Sequence, residues 1–392
     1  MASQDKRRVC IGVAGLGAAA QTMLPAIKAN ERFRLVAVTD ADAATLASVA
    51  ESTGARACPD IESLVDLKEI EIVYIATPTL LHARHARLAA AAGKHVIVEK
   101  PMAGTLAEAQ SMIDAAQRAG VALIVGHSRS FDKAIRRMRD IIAGGTLGRA
   151  RLIQSTVYTD WIYRPRRPDE LDPEQGGGVI FRQGAHQFDV IRLLGGGLLK
   201  SVRANVFDLD RSRPAAGAHA AFLSFADGAT ATAVYNGYGC FMTPELCFGI
   251  GERGFPMPPE ELGAARKSYM ERQPGSETAA KRKRGVSVVR TAPPHHPFFG
   301  MTLVSCEGGD IRQAPDGLYV YSAKGREEIR FAPDNNVYDA VLDELMDVLD
   351  TGARPRHDGR WGLANLEVCV AALASARSGQ EQPLAHQVGA AG

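Results

Sequence analysis

The chain has 392 residues, 46% of them hydrophobic and 23% charged, with a formal net charge of +2, which is enough to build two ordinary domains with full cores. A near-neutral balance with only 6% aromatic residues argues against the basic, stacking surface of a nucleic-acid binder, and no apolar run reaches the length of a membrane span. Six scattered cysteines (Cys10, Cys58, Cys240, Cys247, Cys306, Cys369) form no CxxC or Cys/His cluster, which speaks against a metal site or a disulfide framework and points to a reducing, cytoplasmic setting.

In chain order, Lys6-Arg7-Arg8 before the apolar stretch Val9 to Ala20 imitates a twin-arginine leader. The same stretch reads better as a buried parallel strand, Val9 to Val13, running into a glycine turn. That turn, Gly15-Leu16-Gly17-Ala18-Ala19-Ala20, is GxGxxA and precedes a helix from about Gln21 to Asn30. Its first glycine permits the tight turn, its second lets backbone approach a pyrophosphate, and its small third residue allows helix and strand to pack closely. A second strand, Leu35 to Thr39, ends at Asp40, 20 residues beyond Ala20. There a carboxylate either accepts the hydroxyls of an adenosine ribose, favouring NAD over NADP, or caps a turn.

The alternation continues with helices near Ala43 to Thr53 and Ile61 to Asp66, the strand Ile72 to Ala76, and a helix from about His82 to Ala92. The strand His95 to Val98 then ends at Glu99-Lys100-Pro101, followed by a helix from Leu106 to Ala119 and a strand from Val121 to Val125. The pattern predicts a doubly wound parallel sheet whose ligand crevice lies beyond the carboxyl ends of its strands. Gly15, Asp40, Thr77, Lys100 and His127 all fall at such ends, so the Lys100 amine is expected to face a dinucleotide. Beyond it, alternation at Arg151 to Tyr158, Ser201 to Leu209, Ala218 to Phe225, Ala229 to Tyr235, Met301 to Ser305 and Leu318 to Tyr321 predicts a second, sheet-based domain. Asp227-Gly228 marks a hairpin. The segment 254–297 breaks this pattern, and its run Lys281-Arg282-Lys283-Arg284 reads as a solvated loop. Val337 to Ser378 reads as two amphipathic helices joined by Thr351 to Gly359.

The GxGxxA turn, Ala76-Thr77-Pro78 with His82, Glu99-Lys100-Pro101, and Gly176-Gly177-Gly178 leading to Gly184-Ala185-His186 together resemble the glucose-fructose oxidoreductase, inositol dehydrogenase and MocA (Gfo/Idh/MocA) superfamily over Val9 to Leu384. The resemblance implies an N-terminal Rossmann domain (1–127), an α+β domain on an open, largely antiparallel sheet that binds substrate and joins copies into a homo-oligomer (128–331), and C-terminal helices packing back near the Rossmann domain (332–392). It implies NAD as cofactor, held by Gly15, Leu16, Gly17, Ala18, Ala19 and Asp40, with Thr77, Pro78 and His82 on the nicotinamide and ribose side. Lys100 and His186 become the catalytic pair, either of which could be the base. Glu99 either touches a ribose or holds Lys100 in place, and a cis bond at Lys100-Pro101 is expected.

Relatives that act on sugars and cyclitols carry an aspartate four positions before the GxH histidine, where this chain has Arg182. An arginine there favours a carboxylate, which its planar fork binds bidentately. Trp161 and Tyr163 are expected as flat walls for a ring, with Arg164 beside them, and at least one of Arg164, Arg166 and Arg167 is expected to pair with Asp169, Glu170 or Asp172. Arg129 is a further candidate carboxylate binder and His127 points to the same cleft, while His295-His296 is either a second carboxylate contact or a loop turn. Asp160-Trp161-Ile162-Tyr163-Arg164-Pro165-Arg166-Arg167 and Phe181-Arg182-Gln183-Gly184-Ala185-His186 resemble the phthalate 4,5-cis-dihydrodiol dehydrogenase branch. That resemblance implies NAD-dependent oxidation of a cyclic dihydroxy diacid to an aromatic diol. An inositol or sugar-acid dehydrogenase, or a dinucleotide-binding sensor without turnover, are the alternatives.

Overall fold

The computed structural model describes residues 8–213, 215–271, 277, 280–281, 292–334 and 337–390. Lys6, Arg7 and residues 282–284 of the basic run lie outside the described residues. The chain divides into two compact units.

The first unit contains residues 8–126 and Tyr338–Leu363. Its strands β1 (Val9–Ala14), β2 (Phe33–Thr39), β3 (Arg56–Ala57), β4 (Ile72–Ile75), β5 (His95–Glu99) and β6 (Leu123–Gly126) alternate with helices α1 (Ala18–Ala29), α2 (Ala43–Thr53), α3 (Ile61–Val65), α4 (Thr79–Ala91) and α5 (Leu106–Ala119). The sheet order is β3-β2-β1-β4-β5-β6, and every pair is parallel. Runs such as Val9–Ala14 and Ile72–Ile75 are apolar throughout because helices cover both faces of a parallel sheet, and both strands are buried along their length. Helix starts follow local chemistry: Asp42 and Asp60 accept the Thr45 and Ser63 amides, and Thr105 with Glu108 forms a reciprocal capping box on α5. The tail segment joins this unit through the Val125 amide, which donates to the His357 carbonyl at 2.9 Å, and through the buried His357 ring, which meets Glu344 at 2.9 Å.

The second unit contains the described residues of 127–281 and 292–334, and resumes from Ala364. After α6 (Lys133–Ala143) come β7 (Ala150–Tyr158), α7 (Ala185–Leu194), β8 (Leu199–Phe207), β9 (Ala218–Phe225), β10 (Thr230–Asn236) and the short α8 (Ala264–Met270). Then follow β11 (Met301–Cys306), β12 (Gly309–Ala314), β13 (Gly317–Ser322) and β14 (Gly325–Arg330), then α9 (Val337–Thr351), which from Tyr338 on belongs to the first unit, α10 (Gly359–Ser378), which spans the boundary, and β15 (Gln382–Pro383). The sheet runs β14-β13-β12-β11-β7-β10-β9-β8-β15 and is antiparallel except where β7 meets β10. β9 and β10 join at Asp227-Gly228, with Gly228 at a φ of 84°. Ile153, Ser155 and Val157 are buried on one face while Leu152, Gln154, Thr156 and Tyr158 are half-exposed on the other, the alternation of a sheet covered on one side.

Three strands were not legible as alternation: β12, the charged β14 and the two-residue β15. The boundary between units falls inside α10, between Leu363 and Ala364, so the tail does not partition as one block. Among the described residues no helix is long and apolar enough to cross a membrane.

Candidate functional site

In the first unit the glycine turn is shaped by close approach. Gly15 has a φ of +86°, and a Cβ there would lie 2.6 Å from the backbone of Ala76 and Thr77, so any side chain would drive the loops after β1 and β4 apart. A Cβ at Gly17 would meet nothing within 4 Å, and Gly17 and Ala18 are exposed at the start of α1. That helix begins without a side-chain cap or an acidic residue in its first turn. Its amides and positive dipole end are therefore left to an anion, which fits a dinucleotide pyrophosphate. Asp40 lies beside the turn, accepting the Leu16 amide at 2.6 Å and the Asp42 amide at 2.8 Å. This carboxylate, fixed at the end of β2, fits ribose hydroxyls.

The loop after β4 is braced by two histidines. The His82 ring, buried at 2% exposure, contacts the Thr77 carbonyl at 2.8 Å and the Pro101 carbonyl at 2.9 Å, and His85 Nδ1 meets Thr77 Oγ1 at 3.1 Å. His82 thus spans the loops after β4 and β5, and these contacts place it in the framework behind the crevice. Pro78 occupies the N-cap position of α4. Lys100 is half-buried at the end of β5, with a cis bond to Pro101. The preceding Glu99 is buried, and its carboxylate accepts the hydroxyls of Tyr74 at 2.8 Å and Tyr338 at 3.0 Å. Burial pushes the Glu99 carboxyl up, opposed by the Lys100 charge and both tyrosine hydrogen bonds. The Glu99 carboxylate is thus engaged by two tyrosine hydroxyls one residue before Lys100. Tyr74 and Tyr338 carried no sequence signal, since a tyrosine in an apolar strand or on the apolar face of a helix reads as core.

In the second unit His186 begins α7, directly after a π-helical turn, Ile180–Gly184, that carries Arg182. Residues four apart on a helix share a face, so Arg182 and His186 are neighbours about one turn apart. The His186 ring meets the edge of Phe299 at 5.6 Å, and the Arg129 guanidinium covers the same Phe299 at 5.1 Å. The next residue anchors the helix: Gln187 Nε2 donates to Ser155 and Val234 at 3.0–3.1 Å, leaving its oxygen to accept from His219 Nε2 at 2.9 Å. That assignment makes His219 the Nε2–H tautomer.

Arg182 Nη2 donates to Glu170 at 2.7 Å, and Lys281 pairs with the other oxygen of the same carboxylate. Burial opposes the Glu170 charge, but Arg182, Lys281 and Arg166 overcome it and hold the carboxyl far below its usual range. Burial lowers Lys281 to about 8 despite Glu170. The expectation of a solvated basic run therefore fails at Lys281, because the buried carboxylate of Glu170, 111 positions earlier in the chain, draws it in. Three cations surround one carboxylate.

A family model described as the oxidoreductase family with an NAD-binding Rossmann fold matches residues 9–127, and a GFO/IDH/MocA C-terminal domain model matches 135–241. The chain belongs to the Gfo/Idh/MocA oxidoreductase family. It is 40% identical to the 1-carboxy-3-chloro-3,4-dihydroxycyclohexa-1,5-diene dehydrogenase of Comamonas testosteroni, over 93% of this chain and 94% of that one. A solved structure from Bordetella bronchiseptica RB50 superposes with a TM-score of 0.90 at 36% identity, covering 96% of this chain and 100% of the other. An Agrobacterium radiobacter oxidoreductase solved with NAD+, L-tartaric acid and magnesium shares the fold at a TM-score of 0.73 and 18% identity, covering 96% of this chain and 98% of that one. This Gfo/Idh/MocA protein is an NAD-binding dehydrogenase.

Several sequence candidates in this oxidoreductase are placed differently from expectation. Trp161 is 1% exposed and capped by the Arg166 guanidinium at 4.4 Å, so its ring is a buried support with no open wall. Tyr163 is also buried and donates its hydroxyl to Asp210 at 2.6 Å, among Tyr238 and Tyr269, apart from the rings around His186. Arg164 is held by Asp160 at 2.9 Å and Glu252 at 3.3 Å, carboxylates other than the three expected, whereas Arg167 does pair with Asp169 at 3.0 Å. Arg129 donates to the Glu252 carbonyl at 2.7 Å. His127 is buried at the end of the β6 strand run, its carbonyl accepting from Ser130. His296 is fully buried and meets the Phe331 carbonyl at 2.8 Å, with burial lowering its pKa, and His295 meets Asp316 at 2.9 Å. A neutral, enclosed imidazole offers no charge to a carboxylate, so the loop-turn alternative describes His296.

Proposed function

We propose that this oxidoreductase oxidises a cyclic cis-dihydrodiol carboxylic acid to an aromatic diol, with 4,5-dihydro-4,5-dihydroxyphthalate as the preferred substrate. The observation that carries this reading is Arg182, one helical turn before His186 within a cluster of three cations and one carboxylate. Such a charge excess in a half-buried setting attracts an anion, and a guanidinium selects a planar carboxylate. The name of the Comamonas testosteroni relative, a carboxylated dihydroxycyclohexadiene dehydrogenase, supports the same substrate class.

When bound, NAD would supply the acceptor for a hydride leaving a ring carbinol carbon. Lys100 or His186 takes the proton of that hydroxyl, and Asp40 and the α1 amides hold the dinucleotide. The ketone so formed loses its adjacent ring proton and enolises, so aromatisation drives the reaction forward. Arg182 orients the carboxylate, and Gln187 keeps α7 and thus His186 in place. We further propose that copies associate through the open face of the second unit's sheet.

NADH formation across cis-dihydrodiol monoacids, cis-dihydrodiol diacids, polyols and sugar acids, with NADP as control, tests the reading. Turnover of dihydrodiol acids, best with the diacid and NAD, is expected, with Lys100→Met lowering kcat by about 10²–10⁴-fold. Turnover of polyols alone would overturn the substrate class, and full activity of Lys100→Met would overturn the role of the lysine.

A further inference from the structure

A carboxylate removed from water tends to neutralise itself unless donors or cations hold its charge. Glu99 is such a carboxylate, buried at the end of β5 one residue before Lys100. In the ladder between β4 and β5, Tyr74 lies opposite Ile97, and Glu99 stands two residues further along on the same face. The Tyr74 hydroxyl therefore reaches Glu99 Oε1 across one strand spacing, at 2.8 Å. Tyr338 arrives from α9, 239 residues later in the chain, and donates to the same oxygen at 3.0 Å. Space for the carboxylate depends on Gly126 of β6, where a Cβ would sit 3.2 Å from Glu99 Oε1.

Two phenol groups donating to one carboxyl oxygen keep their own protons and favour the ionised form of Glu99, working against the burial that disfavours its charge. Burial first, and then the Glu99 charge, push the Tyr74 hydroxyl well above its ordinary pKa, which agrees with that assignment. The charged and titratable groups facing Glu99 are Lys100 at its own strand end, Tyr74 from β4 and Tyr338 from α9. β6 brings only Gly126, and α4 brings His82, whose ring contacts the carbonyls of Pro101 and Thr77.

We infer that Tyr74 and Tyr338 are positioning residues whose hydroxyls keep the Glu99 carboxylate ionised beside Lys100 and so set the pH at which the lysine gains its proton. The inference rests on the reading that Lys100 carries the proton of the reacting hydroxyl. Its logic is compensation: a cationic ring bound nearby lowers an amine's proton affinity, and a fixed anion restores it toward the working pH, where acid-base catalysis is most efficient. Tyr338 also makes that balance depend on the docking of α9 within the first unit.

The test compares Tyr74→Phe, Tyr338→Phe, the double variant and Glu99→Gln with wild type. Lys100 is titrated by its rate of acetylation with acetic anhydride across pH, followed by mass spectrometry, a readout that needs no turnover. The acid limb of the kcat/KM profile is measured alongside. Removing the Glu99 charge is expected to lower the Lys100 midpoint and move the acid limb downward by about one pH unit. Each tyrosine variant should shift both in the same direction by less, and the double variant by more than either. A merely structural role would lower kcat or the melting temperature without moving the midpoint. Midpoints in Glu99→Gln and in both single tyrosine variants that coincide with wild type, or that rise, overturn the inference. The single variants remove only a hydroxyl and decide the matter even if the double variant does not fold. Activity retained in Lys100→Met would instead count against the catalytic reading, while the acetylation midpoints still judge the positioning role.

Discussion

Arg182, proposed to bind substrate, also has a part in the fold. Its bond to Glu170 ties the π-helical turn to a carboxylate that is only 3% exposed in its side chain, while the arginine itself keeps 18% exposure. An arginine carries five N–H donors in a fixed fork, so a bond to Glu170 orients the group for a planar anion. Arg182→Ala is expected to raise KM for the preferred acid about 10–100-fold, the worth of a charge-assisted hydrogen bond. Because Glu170 loses a partner and retains Lys281, the same variant should lose about 2 kcal/mol of stability, less than for a fully orphaned buried charge. Steady-state kinetics with a urea unfolding curve checks both, and an unchanged KM would remove Arg182 from substrate binding.

At the scale of elements, α7 is the part of the second unit that positions chemistry. All of its residues are buried, and Gln187 fastens it to β7 and β10 through a network that ends on His219 of β9. The His219 ring stacks on Tyr235 at 5.8 Å, and burial lowers its pKa from 6.5 to about 3. The folded state thus prefers the neutral ring, while the unfolded chain takes up a proton below 6.5. This contribution is complete above the unfolded pKa and is lost as pH falls from about 6.5 toward about 3, at roughly 1.4 kcal/mol per pH unit. His219→Gln retains a donor toward Gln187 without titrating. It should be less stable than wild type near neutrality and decline less steeply between pH 7 and pH 4, as read from urea midpoints; parallel curves would exclude His219 as the titrating group.

At the scale of the whole molecule, the first unit carries the glycine turn, Asp40 and Lys100, and the second carries His186 and the cations around Glu170. Among the described residues, one face of the second unit's sheet carries half-exposed and exposed side chains. Phe222 of β9 pairs in register with Arg203 of β8 and Thr232 of β10 on that face and is 46% exposed, and Phe207 of β8 is 41% exposed. Exposed phenylalanines on an extended sheet face suit burial against another copy. Sedimentation is expected to show an oligomer at micromolar concentration, weakened by Phe222→Lys, and a monomeric wild type would refute this.

Periodicity and turn chemistry were sufficient to read the parallel sheet, the glycine turn and Asp40, because apolar runs and positive-φ glycines are local requirements that a sequence states directly. Lys100 stood out by its place at a strand end, whereas His186 was singled out only through the family resemblance. The edge strands β14 and β15 were hidden because edge strands carry charge and need little alternation, and β12, paired on both sides, was hidden by the charged and polar residues of Gly309–Ala314. The partners of the candidate residues were decided only by tertiary structure. Glu170 gathers Arg182 from 12 positions away and Lys281 from 111, and Tyr338 reaches Glu99 across 239. Arg166 closes over Trp161, and burial silences His296. The chain thus declares its cofactor and chemical class through local geometry, whereas the charge state and company of each site residue depend on which distant groups folding buries beside it.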